Sequence, residues 1–255
     1  MSVVIGTLAV AAALAANYKE PVDFSVRGPA GLAPATDTNG MSGVWSDRCA
    51  TAPLEDIEWV RMWSPDLSKR DLPRVLLIGD SICGNYRSGV MAALKDKAYV
   101  ASVWGSACVG DPALLRQLEM MLERVAFDVI HVNNGLHGFG ISDEEYASFL
   151  PDYIARIRAL NPNARIVWAR STPTHDMKTG KPTKGNARVI RRNELADAVM
   201  KRIGVTEIDD LYAVASGHPE LHSKDGVHFN EDGCKALAAS VVASILRVLP
   251  QKKHE

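Results

Sequence analysis

Three side chains in this sequence have the types and surroundings for nucleophilic chemistry: Ser81, Asp225 and His228. Ser81 stands in "LIGDSIC", residues 77–83, where the apolar run Val75-Leu76-Leu77-Ile78 halts at Gly79. Asp225 and His228 stand three residues apart in "DGVH", with Gly226 between them. A tight turn there would set the carboxylate on the imidazole Nδ1–H, fix the tautomer and leave Nε2 free to take a serine proton. A hydroxyl, a base, a group that orients the base, and donors for an oxyanion are what acyl transfer requires. D-x-x-H alone is a weak signal. A strand-terminal serine 144 positions upstream makes the combination far more specific. The plainer readings are that Ser81 caps a helix over 86–96 and that Asp225 and His228 belong to the start of the last helix, near "NEDG" at 230–233. Asp80 is read as bonding backbone N–H groups in the turn, with no catalytic role.

An array of strands and helices must position these groups. Strands are expected at 74–79, 98–104, 127–133, 165–169 and 204–208, each short and mostly an unbroken apolar run. Helices are expected at about 86–96, 112–125, 143–160, 188–203 and 231–249. In 143–160 the residues Tyr146, Phe149, Leu150, Tyr153, Ile154, Ile157 and Leu160 recur at helical spacing as one apolar stripe. Five βα units in series imply an α/β fold with a parallel sheet covered by helices on both faces. Ligands of such sheets bind at the carboxyl ends of the strands. Those ends carry Ser81, the glycines Gly105 and Gly110 in "GSACVGDP", and Asn133, Asn134 and His137 in "NNGLHG"; Asp225 and His228 come after the fifth strand.

The length of 255 residues suits one large α/β domain, and the 47% apolar and 23% charged residues are those of an ordinary globular chain. With 29 basic against 30 acidic residues, no electrostatic footprint for nucleic acid exists. Residues 3–16, "VVIGTLAVAAALAA", are too short for a stable membrane span, which takes ~20 residues. They fit the core of an export signal, although no Lys or Arg precedes Lys19. The expected location is therefore periplasmic or secreted, with a cytoplasmic protein bearing an Ala-rich helix as the alternative. Residues 17–71 read as an extended N-terminal segment, with Trp59 and Trp63 packing on the domain, and 72–250 as the domain itself. Cys49, Cys83, Cys108 and Cys234 form no C-x-x-C pair; export would permit one or two disulfides, and buried apolar thiols are the equal alternative.

Taken together, "GDSI" at 79–82, "VGDP" at 109–112, "GLHG" at 135–138 and "DGVH" at 225–228 resemble the four sequence blocks of the SGNH/GDSL hydrolases, over roughly residues 72–250. The resemblance implies a flavodoxin-like three-layer α/β/α sandwich on a five-stranded parallel sheet. It implies an esterase with Ser81 as nucleophile, His228 as general base and Asp225 as its orienter. The family's oxyanion hole implies the Ser81 N–H, a glycine N–H and an asparagine side chain. Gly110 matches that glycine, with Gly105 second. The third block departs from the family's G-x-N-D: His137 falls in the asparagine column, and Asn134 or Asn133 is the other choice. A neutral imidazole donates one hydrogen bond, so His137 has the chemistry for the role.

No cofactor or metal is implied. His218, His222 and His228 lie within eleven residues, but Gly and Pro around them leave no helix to present two on one face, and His218 and His222 are expected to face solvent or the pocket mouth. The polar stretch 171–187 after strand four is expected to be a substrate-facing flap or a surface insertion, and Arg191, Arg192 and Asn193 either meet an anionic or sugar substrate or face water. A P-loop, a G-x-G-x-x-G and a G-x-S-x-G elbow are all absent. Short acyl esters, such as acetyl groups on a small molecule or glycan, are the expected substrates. The alternatives are a non-catalytic binding domain of the same fold, or an acyltransferase.

Overall fold

The computed structural model describes residues 55–250, so the signal-like run 1–16, most of the extended segment 17–71, and Cys49 lie outside the described residues. The first strand, β1 (Val60–Trp63), is followed by β2 (Arg74–Gly79), α1 (Ser81–Ala93), β3 (Tyr99–Gly105) and α2 (Pro112–Leu122). Next come β4 (Val129–Val132), α3 (Asp143–Leu160), β5 (Arg165–Ala169) and a small hairpin of β6 (His175–Asp176) and β7 (Lys181–Pro182). The chain ends with α4 (Asn186–Arg202), β8 (Glu207–Asp209), the short α5 (Leu211–Ala215) and α6 (Glu231–Val248).

The main sheet has six strands in the order β1-β3-β2-β4-β5-β8. Five of them are parallel, in the expected flavodoxin-like order. The sixth corrects the expectation of five. β1 adds to the outer edge of β3 antiparallel, with Val60 opposite Gly105 and Trp63 opposite Ser102. Its sequence "VRMW" carries a charge and stays mostly exposed, so it lacks the continuous apolar run by which a doubly covered strand is recognised.

Alternation along each strand sorts side chains into two cores. Leu76, Ile78, Ile130, Val132 and Trp168 face α2, α3 and α4; Val75, Leu77, Val129 and Val167 face α1, α5 and α6. The connection from β2 to β3 runs on one face and that from β3 to β4 on the other. A crevice therefore opens between the carboxyl ends of β2 and β4, where the loops bearing Ser81 and His137 leave the sheet.

α1 begins at Ser81 rather than 86, because the Asp80 side chain caps it by accepting the Ile82 N–H at 2.8 Å. Gly84 and Asn85 are weak helix formers and masked that first turn in the sequence. One buried polar cluster also went unread. His131 of β4 and Asp209 of β8 are both buried, and the His131 Nε2 lies 2.9 Å from the Asp209 Oδ2. Ser240 and Ser244 of α6 donate to the same carboxylate, at 2.5 and 3.3 Å. Burial pushes the Asp209 carboxyl up, but the His131 ring and the serine hydroxyls outweigh it and hold it below its ordinary value. Asp209→Ala removes the partner of the buried His131 ring and an acceptor from the half-buried Ser240, while Ser244 keeps the Val241 carbonyl at 2.8 Å, at an expected cost of about 3–5 kcal/mol. Urea unfolding monitored by circular dichroism measures it; a loss under about 1 kcal/mol, the size of a surface change, would mean the cluster is not a structural clamp.

Candidate active site

Ser81, as the first residue of α1, has a backbone N–H with no carbonyl partner inside the helix. Its hydroxyl lies 2.9 Å from the His228 Nε2. On the far side of that ring, the Nδ1 lies 2.7 Å from the Asp225 Oδ2. The other carboxylate oxygen, Oδ1, accepts from the Ser223 hydroxyl and from the Val227 and His228 N–H groups, each at 2.9 Å. Burial would raise the Asp225 carboxyl, but the His228 ring and these donors together hold it well below the usual carboxylate range. Serine, imidazole and carboxylate thus form an unbroken relay. Its geometry permits proton transfer from a hydroxyl to Nε2, with a fixed negative charge behind the ring.

Local sequence explains why the relay closes. Gly226 has φ +72°, and a Cβ there would lie 1.8 Å from the His175 carbonyl oxygen, so only glycine fits this turn. The His175 N–H in turn donates to the Gly226 carbonyl at 2.8 Å. The 171–187 stretch is therefore an ordered hairpin docked beneath the Asp225 turn. His222, expected at the surface, is instead buried; its ring stands 4.6 Å from that of His175 and 4.4 Å from that of Phe229. Burial, reinforced by His222, pushes the His175 imidazole down. His218 is exposed and pairs with Glu220 at 2.9 Å. From α1, the Asn85 Oδ1 accepts the Phe229 N–H at 3.1 Å, tying the histidine loop to the serine helix.

The candidates for an oxyanion hole separate on their partners. Asn134 accepts the Val109 N–H at 3.0 Å and donates to the Ala107 carbonyl at 3.1 Å; its amide clamps the loop after β3. Asn133 donates to the Ala169 carbonyl at 2.9 Å. Both asparagines are buried and already engaged. Gly105 is covered by the residue that leads into the edge strand: the Trp59 carbonyl oxygen would meet a Cβ there at 2.6 Å. Gly110 differs: it takes φ +102°, and its N–H meets no acceptor among the described residues. His137 is half-buried, with its Nδ1 2.8 Å from the Glu55 Oε2 and no partner on Nε2 among the described residues. The Glu55 Oε1 also accepts the Gly138 N–H at 3.1 Å. Burial pushes the neighbouring Asp80 carboxyl up, while the His137 ring, the Ile82 N–H and the His228 ring act against it.

Sequence reasoning missed two residues of this site. Glu55 lies outside every strand and helix pattern. Arg192 seemed free to meet substrate or solvent, yet it is 1% exposed and serves the chain itself. Its Nη1 donates to the Gly135 and His137 carbonyls at 3.2 and 2.7 Å, its Nη2 to the Gly138 carbonyl at 2.8 Å, and its Nε to Asp143 at 3.0 Å. Its guanidinium also lies 4.6 Å from the centre of the Tyr146 ring. Asn193 likewise turns inward, bonding the backbone of Ser171 through both amide atoms. Arg191 stays outside, paired with Glu144 at 3.2 Å. Cys83, Cys108 and Cys234 are free thiols, and burial raises the first two to about 12 and about 11.

Arg192 is thus the brace of the His137 loop. Arg192→Met leaves the Gly135 and His137 carbonyls without their donor, while Asp143 keeps Arg188 at 2.6 Å and the Gly138 carbonyl keeps the Ile141 N–H at 3.3 Å; the expected cost is about 2–4 kcal/mol, and the loop is freed. Thermal melting combined with turnover at a temperature where the variant is fully folded measures both effects. A folded variant with unaltered kcat would mean that the brace does not serve the site.

Several solved structures share this fold. The fold matches that of the lipase/acylhydrolase from Enterococcus faecalis at 18% identity, covering 71% of this chain and 100% of that one, with a TM-score of 0.55. The acetyl xylan esterase AlAXEase matches at 17% identity, over 68% of this chain and 99% of its own, with a TM-score of 0.56. A carbohydrate esterase family 3 protein from Talaromyces cellulolyticus matches at 14% identity, over 69% and 97%, with a TM-score of 0.53. Among curated proteins, none matches the sequence. The model of the GDSL-like lipase/acylhydrolase family matches residues 77–236, well over half of the chain, and the chain belongs to that family of carboxylic ester hydrolases.

Proposed function

We propose that this chain is a serine esterase that removes short acyl groups, acetyl foremost, from a carbohydrate or other small hydroxylated substrate. The observation that carries the reading is the relay from the Ser81 hydroxyl through His228 to Asp225, at 2.9 and 2.7 Å. Ser81 Oγ attacks the ester carbonyl as His228 Nε2 takes its proton. The C–O bond to the alcohol then breaks, and His228 returns the proton to the leaving oxygen. Water, deprotonated by the same imidazole, cleaves the acyl-enzyme and restores the serine.

The tetrahedral oxyanion is received by the N–H groups of Ser81 and Gly110 and by the Nε2–H of His137. With the Nδ1 proton given to Glu55, an Nε2–H means that the ring carries both protons, so Glu55 balances a cation that faces the developing negative charge. Short acyl groups are supported by the cavity beside Ser81. It has a volume of about 470 Å³, opens to solvent, and is bounded by Arg61, Arg87 and two tryptophans rather than by an aliphatic tunnel. Two of the structural neighbours, named for acetyl xylan and carbohydrate ester hydrolysis, point the same way. Export is part of the proposal, on the apolar run at residues 3–16. No helix among the described residues is long and apolar enough to cross a membrane.

Three measurements test the reading. p-Nitrophenyl acetate, butyrate and palmitate should be turned over in falling order, and Ser81→Ala should lose both turnover, by roughly 10⁴-fold or more, and labelling by a fluorophosphonate; preference for palmitate, or labelling that survives the substitution, would refute it. His137→Ala is expected to lower kcat by about 10²–10³-fold with KM little changed, and Glu55→Gln by a smaller factor in the same direction; normal kcat in both would remove His137 from the oxyanion hole. Because a depressed carboxyl loses its charge only as pH falls through its folded value, well under the ordinary ~3.9, Asp225 stays ionised wherever the enzyme works. Asp225 should therefore add nothing to the acid limb of log kcat/KM, whose expected slope is one; a slope of two would show that a further ionisation is essential.

A further inference from the structure

The cavity that exposes Ser81 and His228 also exposes two guanidinium groups, those of Arg61 and Arg87. Arg61 comes from the edge strand β1, Arg87 from the second turn of α1. Neither forms an ion pair with any carboxylate among the described residues, whereas Arg156, Arg170, Arg188 and Arg192 all do. Arg87 is half-buried. Its guanidinium lies over the Trp104 ring, 4.3 Å from the centroid, and among the described residues its sole hydrogen-bond contact is the Met91 thioether at 3.8 Å. A thioether is a weak acceptor, so most of the donor capacity of this fork is unspent. The stacking holds the guanidinium in a fixed orientation, which lowers the entropy lost when it takes a planar anion.

The walls of the cavity complete the pattern. No carboxylate side chain among the described residues lines it, and the half-buried Trp59 offers an indole face to the apolar face of a sugar ring. A second open cavity, of about 600 Å³, borders Asp225 from the hairpin side. Its rim carries Lys178, Lys181, Lys184 and Lys224, with Asp176 as the one acid besides the engaged Asp225. None of the four lysines is in an ion pair among the described residues. The chain as a whole has a net charge of −1. The relay therefore lies between two cationic surfaces on a nearly neutral protein, an arrangement that attracts an anionic substrate to this edge of the sheet.

We propose that the ester is carried on an acidic glycan. A carboxylate or sulfate group close to the ester sits between Arg61 and Arg87, the sugar ring packs on Trp59, and neighbouring acidic sugars extend along the lysine hairpin. The proposal rests on the esterase reading of Ser81 and names the substrate class of that site. The bond broken is the same acyl C–O bond. The arginines touch only the anionic group and set specificity.

The test compares acetate release from three acetylated polymers by the full chain: polygalacturonate for the carboxylate, dextran sulfate for the sulfate, and xylan as the neutral control. At low salt, kcat/KM for at least one acidic polymer is expected to exceed that for xylan by roughly ten-fold or more, and sodium chloride should erode the ratio. Arg87→Met and Arg61→Met should each bring the ratio towards one; Arg61 sits exposed on an edge strand, so its variant folds whatever becomes of Arg87. Whichever acid wins identifies the group. Equal turnover of all three polymers, or a ratio untouched by the Arg61 variant, overturns the proposal. Calorimetric binding of the same polymers to Ser81→Ala separates the two readings: Arg-dependent binding of the acidic polymer, with no ester cleaved by the unaltered chain, keeps the anion site and removes the esterase.

Discussion

The hydrogen bond between Ser81 and His228 joins residues 147 apart in sequence, and it survives only if two independent loops are fixed within tenths of an ångström. Neither partner is held by the other. Ser81 is placed by the end of β2 and by the Asp80 cap of α1. His228 is placed by a glycine turn lying on the His175 carbonyl and by the Asn85 side chain that reaches across from α1. An error of one ångström at either anchor would turn a 2.9 Å contact into none, and proton transfer with it. The cores on both faces of the sheet, and buried clusters such as His131 with Asp209, give these anchors their stiffness.

The edge strand does more than close the sheet. Because β1 runs antiparallel to β3, with Val60 opposite the last residue of that strand, the residues before it pass over the sheet's carboxyl edge. Trp59 and Ser106 exchange backbone and hydroxyl bonds at 2.8 and 3.0 Å, and Glu58 accepts the Ser106 hydroxyl at 2.6 Å. This docking delivers Glu55, Trp59 and Arg61 to the relay. All three precede the segment 77–236 that the family model matches.

How much was legible in the sequence follows from how local each signal is. Four of the five parallel strands were legible because each is a mostly apolar run; the fifth, Glu207–Asp209, is short and carries two acids, so the expected 204–208 shares only two residues with it. α3 was legible to its last residue because its apolar stripe is long. The Asp225–His228 pair was legible because three residues around a glycine leave few conformations. β1 was hidden because an exposed edge strand needs no buried face. Arg192 was hidden because its burial depends on four carbonyl and carboxylate partners, spread over residues 135–143, that only tertiary folding assembles. Glu55 was hidden for the same reason: its partner His137 is 82 residues away.

His137 shows what a change of side chain demands of its surroundings. An asparagine amide donates hydrogen bonds whatever the pH. An imidazole donates from Nε2 only when that nitrogen is protonated, and a second acceptor at Nδ1 draws the single proton of the neutral ring to the other side. With Glu55 at Nδ1, the ring serves an oxyanion as a cation or not at all. A cation is the stronger donor to developing negative charge, and it would be costly to hold in place without a carboxylate behind it. The role proposed for His137 therefore depends on the acid at the back of the ring, and that acid arrives on the segment leading into the edge strand.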